Sequence, residues 1–317
     1  MSPALLSLAF ALALACAATM GFAIQRGATC TVAAVQEVFA RRTAYRLLAL
    51  AEAAAWVAGG LALAREAGLI AKLPAAQAVS LGTVAGGVLL GLGAYLNRAC
   101  VFGAIARLGS GEWAYLLTPA GFFLGVAALR LVPLPAPVPA SGPGFVLPGW
   151  AVLPIALLAL ARAVMVLRRG RAEGGVWRRV WRPHEATTVI GIAFVVMMIC
   201  AGAWAYTELL ADLAAGMARD LAPRLALFAA LLAGAVLGGW TAGRLARRAI
   251  TAEGAARCLG GGALMGAGSA LIPGSNDGLI LTGMPLLQPH AWIAIAAMGL
   301  TIAAGFAAER RAARPAA

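Results

Sequence analysis

The chain has 317 residues, 62% hydrophobic and 12% charged, with a mean hydropathy of +0.88 and a formal net charge of +13. A soluble domain carries about 25% charged residues, and several apolar runs here are long enough for a ~30 Å hydrocarbon core, so a soluble globular fold is excluded. The runs are continuous rather than alternating, which excludes a β-barrel. The arginines sit in short loops between apolar runs, which is the positive-inside pattern and not a nucleic-acid surface.

The expected fold is therefore an all-α polytopic membrane protein. Residues 2–24 form the first apolar run, read as a retained helix because no basic segment precedes it. Gln25–Thr31 interrupts it. Residues 32–45, with Glu37, Arg41 and Arg42, suit an interfacial helix, and 46–64 span. Residues 65–77 make a loop, and 78–113 hold an apolar element broken at Asn97–Cys100. Residues 114–133 span, the Pro- and Gly-rich stretch 134–148 carries no charge, and 149–167 span again. Arg162, near the end of that span, reads as a side chain that snorkels to the interface. The run RRGRAEGGVWRRVWRPH follows, with six arginines against one glutamate. Residues 185–206 span, 207–224 read as a loop, 225–243 span, 258–290 hold a second broken element and 291–307 span.

The charges set an orientation. The Arg-rich run, Arg244–Arg257 and the C-terminal tail with Arg310, Arg311 and Arg314 belong in the cytoplasm, and the N-terminus falls outside. The first broken element must then cross inward and the second outward, about nine crossings in all. They are also related in sequence. GGVLLGLGAYLNRACVFG at Gly86–Gly103 returns as GGALMGAGSALIPGSNDG at Gly261–Gly278, an offset of 175 in which Cys100 meets Ser275. A looser copy, GFAIQRGATC, ends at Cys30. These patterns predict two inverted halves, 1–133 and 185–317, joined by a linking region 134–184. Such repeats place a substrate site at their interface, where discontinuous helices meet. The spacings Gly82/Gly86, Gly87/Gly91, Gly234/Gly238 and Gly262/Gly266 read first as helix-packing surfaces.

Some residues could carry chemistry. Cys30 and Cys100 each follow an apolar segment and have an arginine nearby, Arg26 and Arg98. A cation favours the thiolate and attracts anions; the plainer reading is a buried small side chain beside a snorkelling arginine. Ser275, Asn276 and Asp277 either cap a helix beginning near Leu279 or stand at a half-helix N-terminus that faces an anion. In the second case Asp277 opposes the anion unless it is paired or turned away. Glu52, inside a span, is a proton site or the partner of an arginine. His184 and His290 stand alone near helix ends, with no metal-ligand partner at useful spacing. No motif for nucleotide hydrolysis, proteolysis or haem attachment occurs, and no cofactor is expected.

The stretches GFAIQRGATC, GAYLNRACVFGAIARLGSG and GGALMGAGSALIPGSNDG resemble the YeeE/YedE family of bacterial inner-membrane sulfur-compound (thiosulfate) permeases. The resemblance implies an hourglass of two inverted halves, with cysteines along a central path that pass the anion by transient hydrogen bonds. It implies a transporter rather than an enzyme, and in some relatives a small cytoplasmic sulfur carrier of the TusA type as a partner. Cys30 and Cys100 match the family's first two cysteine motifs, while its third cysteine falls on Ser275. A hydroxyl is a harder donor than a thiol and cannot form a persulfide. Two other functions stay open at this stage: a membrane sulfurtransferase with a Cys100 persulfide, and a permease for another small ion or solute with Glu52 as a proton site.

Overall fold

A computed structural model describes residues 7–70, 73–133, 138–140, 149–151, part of 153–168, 180–217, 220–246, 248–272 and 275–313. Twelve helices organise it: α1 (Leu8–Gly27), α2 (Thr31–Arg41), α3 (Tyr45–Glu66), α4 (Leu81–Asn97), α5 (Val101–Gly109) and α6 (Leu117–Arg130), then α7 (Pro183–Ala201), α8 (Tyr206–Ala214), α9 (Leu221–Thr241), α10 (Ala252–Leu271), α11 (Asn276–Gly283) and α12 (Pro289–Ala312). The last five residues of α11 form a π-helical turn. Among the described residues no strand forms, and seven stretches are long and apolar enough to cross a membrane, or eight if α10 and α11 are one bent span. The ninth expected crossing, 149–167, lies partly outside the described residues and is helical at most of those described.

Helix starts follow the local chemistry. Ser7 Oγ accepts the Phe10 N–H, Ser80 and Thr83 form a capping box before α4, and Thr251 Oγ1 accepts the Gly254 N–H at the start of α10. Helices α1, α2 and α4 end on left-handed residues, Ala28, Arg42 and Arg98.

The long helices lie in two rows. In one, α3 packs on α7, α7 on α1 and α1 on α9; in the other, α12 packs on α4, α4 on α10 and α10 on α6. Each row draws two helices from residues 1–133 and two from 185–317, so the two parts of the chain interleave. Without a hydrophobic force between helices in lipid, close backbone approach must hold such rows together. A Cβ added at Gly21 would meet the Leu231 carbonyl oxygen at 1.8 Å, and one at Gly234 would meet that of Ala18 at 1.8 Å. Gly262 and Gly266 approach the Thr118 and Phe122 carbonyls of α6 in the same way, at 2.3 and 2.0 Å. Gly87 and Gly91 do so on α12, at 2.6 Å each. At the α4–α10 crossing Gly86 meets the Gly268 carbonyl at 2.7 Å, and Gly93 meets that of Gly261 at 2.6 Å. Those contacts make α4 and α10, the two copies of the glycine motif, run antiparallel.

The short helices depart from the sequence expectation. Residues 32–45 are not an interfacial helix: α2 begins buried, at Thr31 and Val32, and only its far end is exposed. Residues 207–224 are not a plain loop, because α8 begins with buried Tyr206, Thr207 and Leu209. The apolar segment before it stops at Ala201, where Gly202 takes a positive φ of 83°. Helices α2, α5, α8 and α11 thus sit between the rows; α5 packs on α1 and α9, and α2 on α12.

Arg162 does not snorkel. It reaches Glu52 on α3, with Nη2 to Oε1 at 2.6 Å and Nε to Oε1 at 3.1 Å. His184 is not alone either: its Nδ1 makes a very short contact to Glu52 Oε2, and Tyr45 packs edge-on against its ring. The Trp56 indole N–H also donates to Glu52. The carboxylate therefore ties the linking segment to α3 and α7, and acts as the partner of an arginine.

The glycine contacts yield a prediction. Gly234→Val, which places a side chain against the Ala18 backbone, should cost ~3 kcal/mol or more and lower the unfolding temperature in detergent by several degrees. Gly299→Ala points into open space and should leave that temperature unchanged. Equal behaviour of the two variants would show that backbone approach does not hold the rows.

Candidate functional site

The helix breaks place backbone polar groups at the centre of the molecule, where each must find a partner. Cys30 and Cys100 occupy the N-cap positions of α2 and α5, each thiol facing an N–H of its own first turn, Ala33 and Gly103. Each also serves the other's segment. The Thr31 N–H donates to Cys100 Sγ at 3.2 Å, and the Cys100 N–H donates to Cys30 Sγ at 3.5 Å. The thiols also hydrogen-bond one another. Gly103 is required here, because a Cβ at that position would lie 2.5 Å from Cys30 Sγ. The two cysteines that sequence spacing singled out are thus brought together at the starts of two half-helices. A helix start concentrates unpaired N–H groups and partial positive charge, which suits an anion.

The rest of the break is tightly bonded. The Asn97 amide donates to the Ala99 carbonyl at 2.9 Å, its Oδ1 accepts the Thr118 hydroxyl at 3.2 Å, and its carbonyl accepts the Tyr115 hydroxyl at 3.0 Å. The Tyr206 hydroxyl donates to the Val101 carbonyl at 2.9 Å, which ties α8 to α5.

Ser275 takes the N-cap position of α11, so that helix begins at Asn276, earlier than the sequence suggested. Ser275 Oγ and both amide atoms of Asn276 are fully buried without a hydrogen-bond partner. Asp277 is paired: its Oδ1 accepts the Thr207 hydroxyl at 2.6 Å and the Gly278 N–H at 3.0 Å. The two arginines behave differently from each other. Arg26 is buried, stacks over the Phe22 ring and donates to Thr241 Oγ1 at 2.6 Å. Arg98 is largely exposed and lies 3.8 Å from Glu309. Glu52 is engaged by Arg162 and His184 as described above.

Two cavities approach this centre. One, of about 200 Å³, reaches Cys30 and Gly103 and is lined by Arg98, Arg107 and Arg244. The other, of about 120 Å³, reaches Gly278 and is lined by Glu208, Thr282, Gln288 and His290. His290 Nδ1 accepts the Gln77 N–H at 3.4 Å, so this histidine too has a partner. Helix α8 lies outside the candidate spans, and there burial, with Asp277 and Asp212 nearby, pushes the Glu208 carboxyl up to about 7. Arg107 stacks over Tyr115 and pairs with Glu112 at 3.2 Å.

Sequence reasoning missed Tyr206, Thr207, Glu208 and Arg107. The signal for the first three lay in the repeat. At the same 175-residue offset Gly27–Ala28 recurs as Gly202–Ala203, and Thr31–Ala33 falls on Tyr206–Glu208. The acidic residues of that stretch disguised it as a loop.

No curated protein matches the chain. The family model described as sulphur transport matches residues 26–304, which takes in both cysteines, the four short helices and both glycine-spaced copies. This multi-pass chain belongs to the sulphur transport family, the YeeE/YedE sulfur-compound transporters.

Proposed function

We propose that the protein is a permease for thiosulfate or a closely related sulfur anion in the bacterial inner membrane, with its N-terminus outside and its C-terminus in the cytoplasm. In this reading residues 1–133 and 185–317 are inverted halves joined by 134–184, and the cavities at Cys30 and Gly278 are its two vestibules. The single observation that carries the path is the exchange of hydrogen bonds between the Cys30 and Cys100 thiols and the N–H groups of Cys100 and Thr31. An anion whose sulfur is soft and polarisable can take the place of one thiol contact and be handed to the other. The starts of α2 and α5 supply the positive potential that draws it in. Ser275 and Asn276, whose buried polar atoms lack partners, would meet the anion's oxygens beyond the thiols. Arg98 supplies charge at the mouth of one vestibule rather than at the thiols, and Arg26 acts from behind the first break.

Two predictions follow from this path. Cys100→Ala should lower thiosulfate uptake by at least about tenfold in cells that depend on this protein, since a hydrogen bond to a charged partner is worth ~1.5–3 kcal/mol. Normal uptake would remove Cys100 from the path, and a lasting sulfur adduct on Cys100 in mass spectra of the wild type would favour a sulfurtransferase. Ser275→Cys, which restores a third thiol, should raise thiosulfate flux in proteoliposomes. Unchanged or lower flux would show that Ser275 does not touch the substrate.

A further inference from the structure

The 175-residue offset that relates the glycine copies also relates the two cavities. Ala33, Gly103 and Arg107 line one, and the matching positions Glu208, Gly278 and Thr282 line the other. The matched walls carry opposite charge. Arg98, Arg107 and Arg244 surround the first. Among the described residues the second has Glu208 and His290 but no lysine or arginine. An anion that crosses the protein must use both, and an ionised carboxylate in a space that water screens poorly opposes it strongly.

The groups around Glu208 do not neutralise it. Asp212 on the same helix is paired with Arg224 of α9 at 2.7 Å, so that cation is already engaged. Asp277, only 3% exposed, adds a second carboxyl from α11, held by Thr207 and the Gly278 N–H. Glu208 Oε1 lies 3.4 Å from where a Gly278 Cβ would stand, so the two acids flank one backbone turn. Helix α12 presents His290, whose Nδ1 is occupied by the Gln77 N–H. Helix α6, which packs on α8, carries only Arg130 as a charged residue, exposed at its far end. In α10 the charged residues, Glu253 and Arg257, lie near its N-terminus, remote from α11. A carboxyl on each side of one backbone turn disfavours charge on Glu208. An independent observation points to a ligand beside them: Ser275 Oγ and both Asn276 amide atoms, at the start of the same short helix, are buried without partners.

We propose that Glu208 is a proton-binding site in the vestibule that reaches Gly278, and that the sulfur anion crosses together with a proton taken up there. The inference rests on the permease reading above. The carboxylate takes a proton from water in that vestibule and is neutral while the anion passes. It gives the proton up to the opposite solution as the anion is released, so no electrons move and no covalent bond to sulfur forms. Burial of Glu208 supports this by placing its titration near neutral pH.

The test uses the purified full chain in proteoliposomes, with labelled thiosulfate outside and a pH-sensitive dye inside. Thiosulfate stays a dianion across the range used, so any pH effect belongs to the protein. Wild-type uptake should be about tenfold faster at an external pH of about 6 than at about 8, the change in protonated fraction of a group titrating near 7. The interior should acidify as thiosulfate enters. In E208Q the ratio should fall to about 1 and the acidification should vanish, while E208D, which keeps a carboxyl, should retain both. Saturable wild-type uptake without pH dependence or acidification would overturn the proton site and leave the permease standing. No saturable uptake by the wild type would overturn both. A full pH response in E208Q would remove Glu208 from the role.

Discussion

The molecule depends on one constraint: backbone broken at the middle of a membrane helix must still find hydrogen-bond partners. Here the partners are the thiols. Cys30 and Cys100 sit where a Ser or Asp cap normally stands, and each thiol accepts an N–H from the other's segment. A thiol is a weak acceptor, so the arrangement satisfies the breaks without locking them. The same constraint explains why Asn97 is buried and bonded through its amide, its Oδ1 and its carbonyl. It also explains why Tyr206 spends its hydroxyl on a carbonyl of α5.

The glycines make this centre possible. Within each row, neighbouring helices approach closely enough for carbonyl oxygens to occupy the space of absent side chains, at Gly21, Gly234 and Gly266 among others. That approach fixes α4 and α10 as antiparallel neighbours. Repetition of the architecture does not impose repetition of chemistry. One part of the chain presents two thiols and arginines; the part 175 residues on presents a hydroxyl, an amide and two carboxyls.

Much of this was legible in the sequence, for identifiable reasons. The long spans announce themselves by length and hydropathy. The Gly86–Gly103 and Gly261–Gly278 copies survive comparison because close packing tolerates little except glycine at those positions. Cys30 and Cys100 stood out for the same reason, each at the end of such a run. The further break at Gly202–Ala205 was hidden because Ala205 stands where the repeat would place a cysteine and because Glu208 and Asp212 gave α8 the look of a solvent loop. The cluster of Glu52, Arg162 and His184 joins residues more than 100 positions apart, and pairing at that separation leaves no trace in a single sequence. Arg26 stayed open between an anion partner and a snorkelling cation because the sequence carries no sign of Thr241, 215 positions away, which receives it.

The central claim is that Cys30 and Cys100 handle the sulfur anion. Its most direct test is thiosulfate uptake by proteoliposomes containing a variant with Cys16, Cys200 and Cys258 all changed to Ala, so that only those two thiols remain. The account predicts saturable uptake that a reversible, membrane-permeant thiol reagent abolishes and a reductant restores, with thiosulfate itself slowing the modification. Uptake that continues undiminished after both thiols are shown to be modified would contradict it.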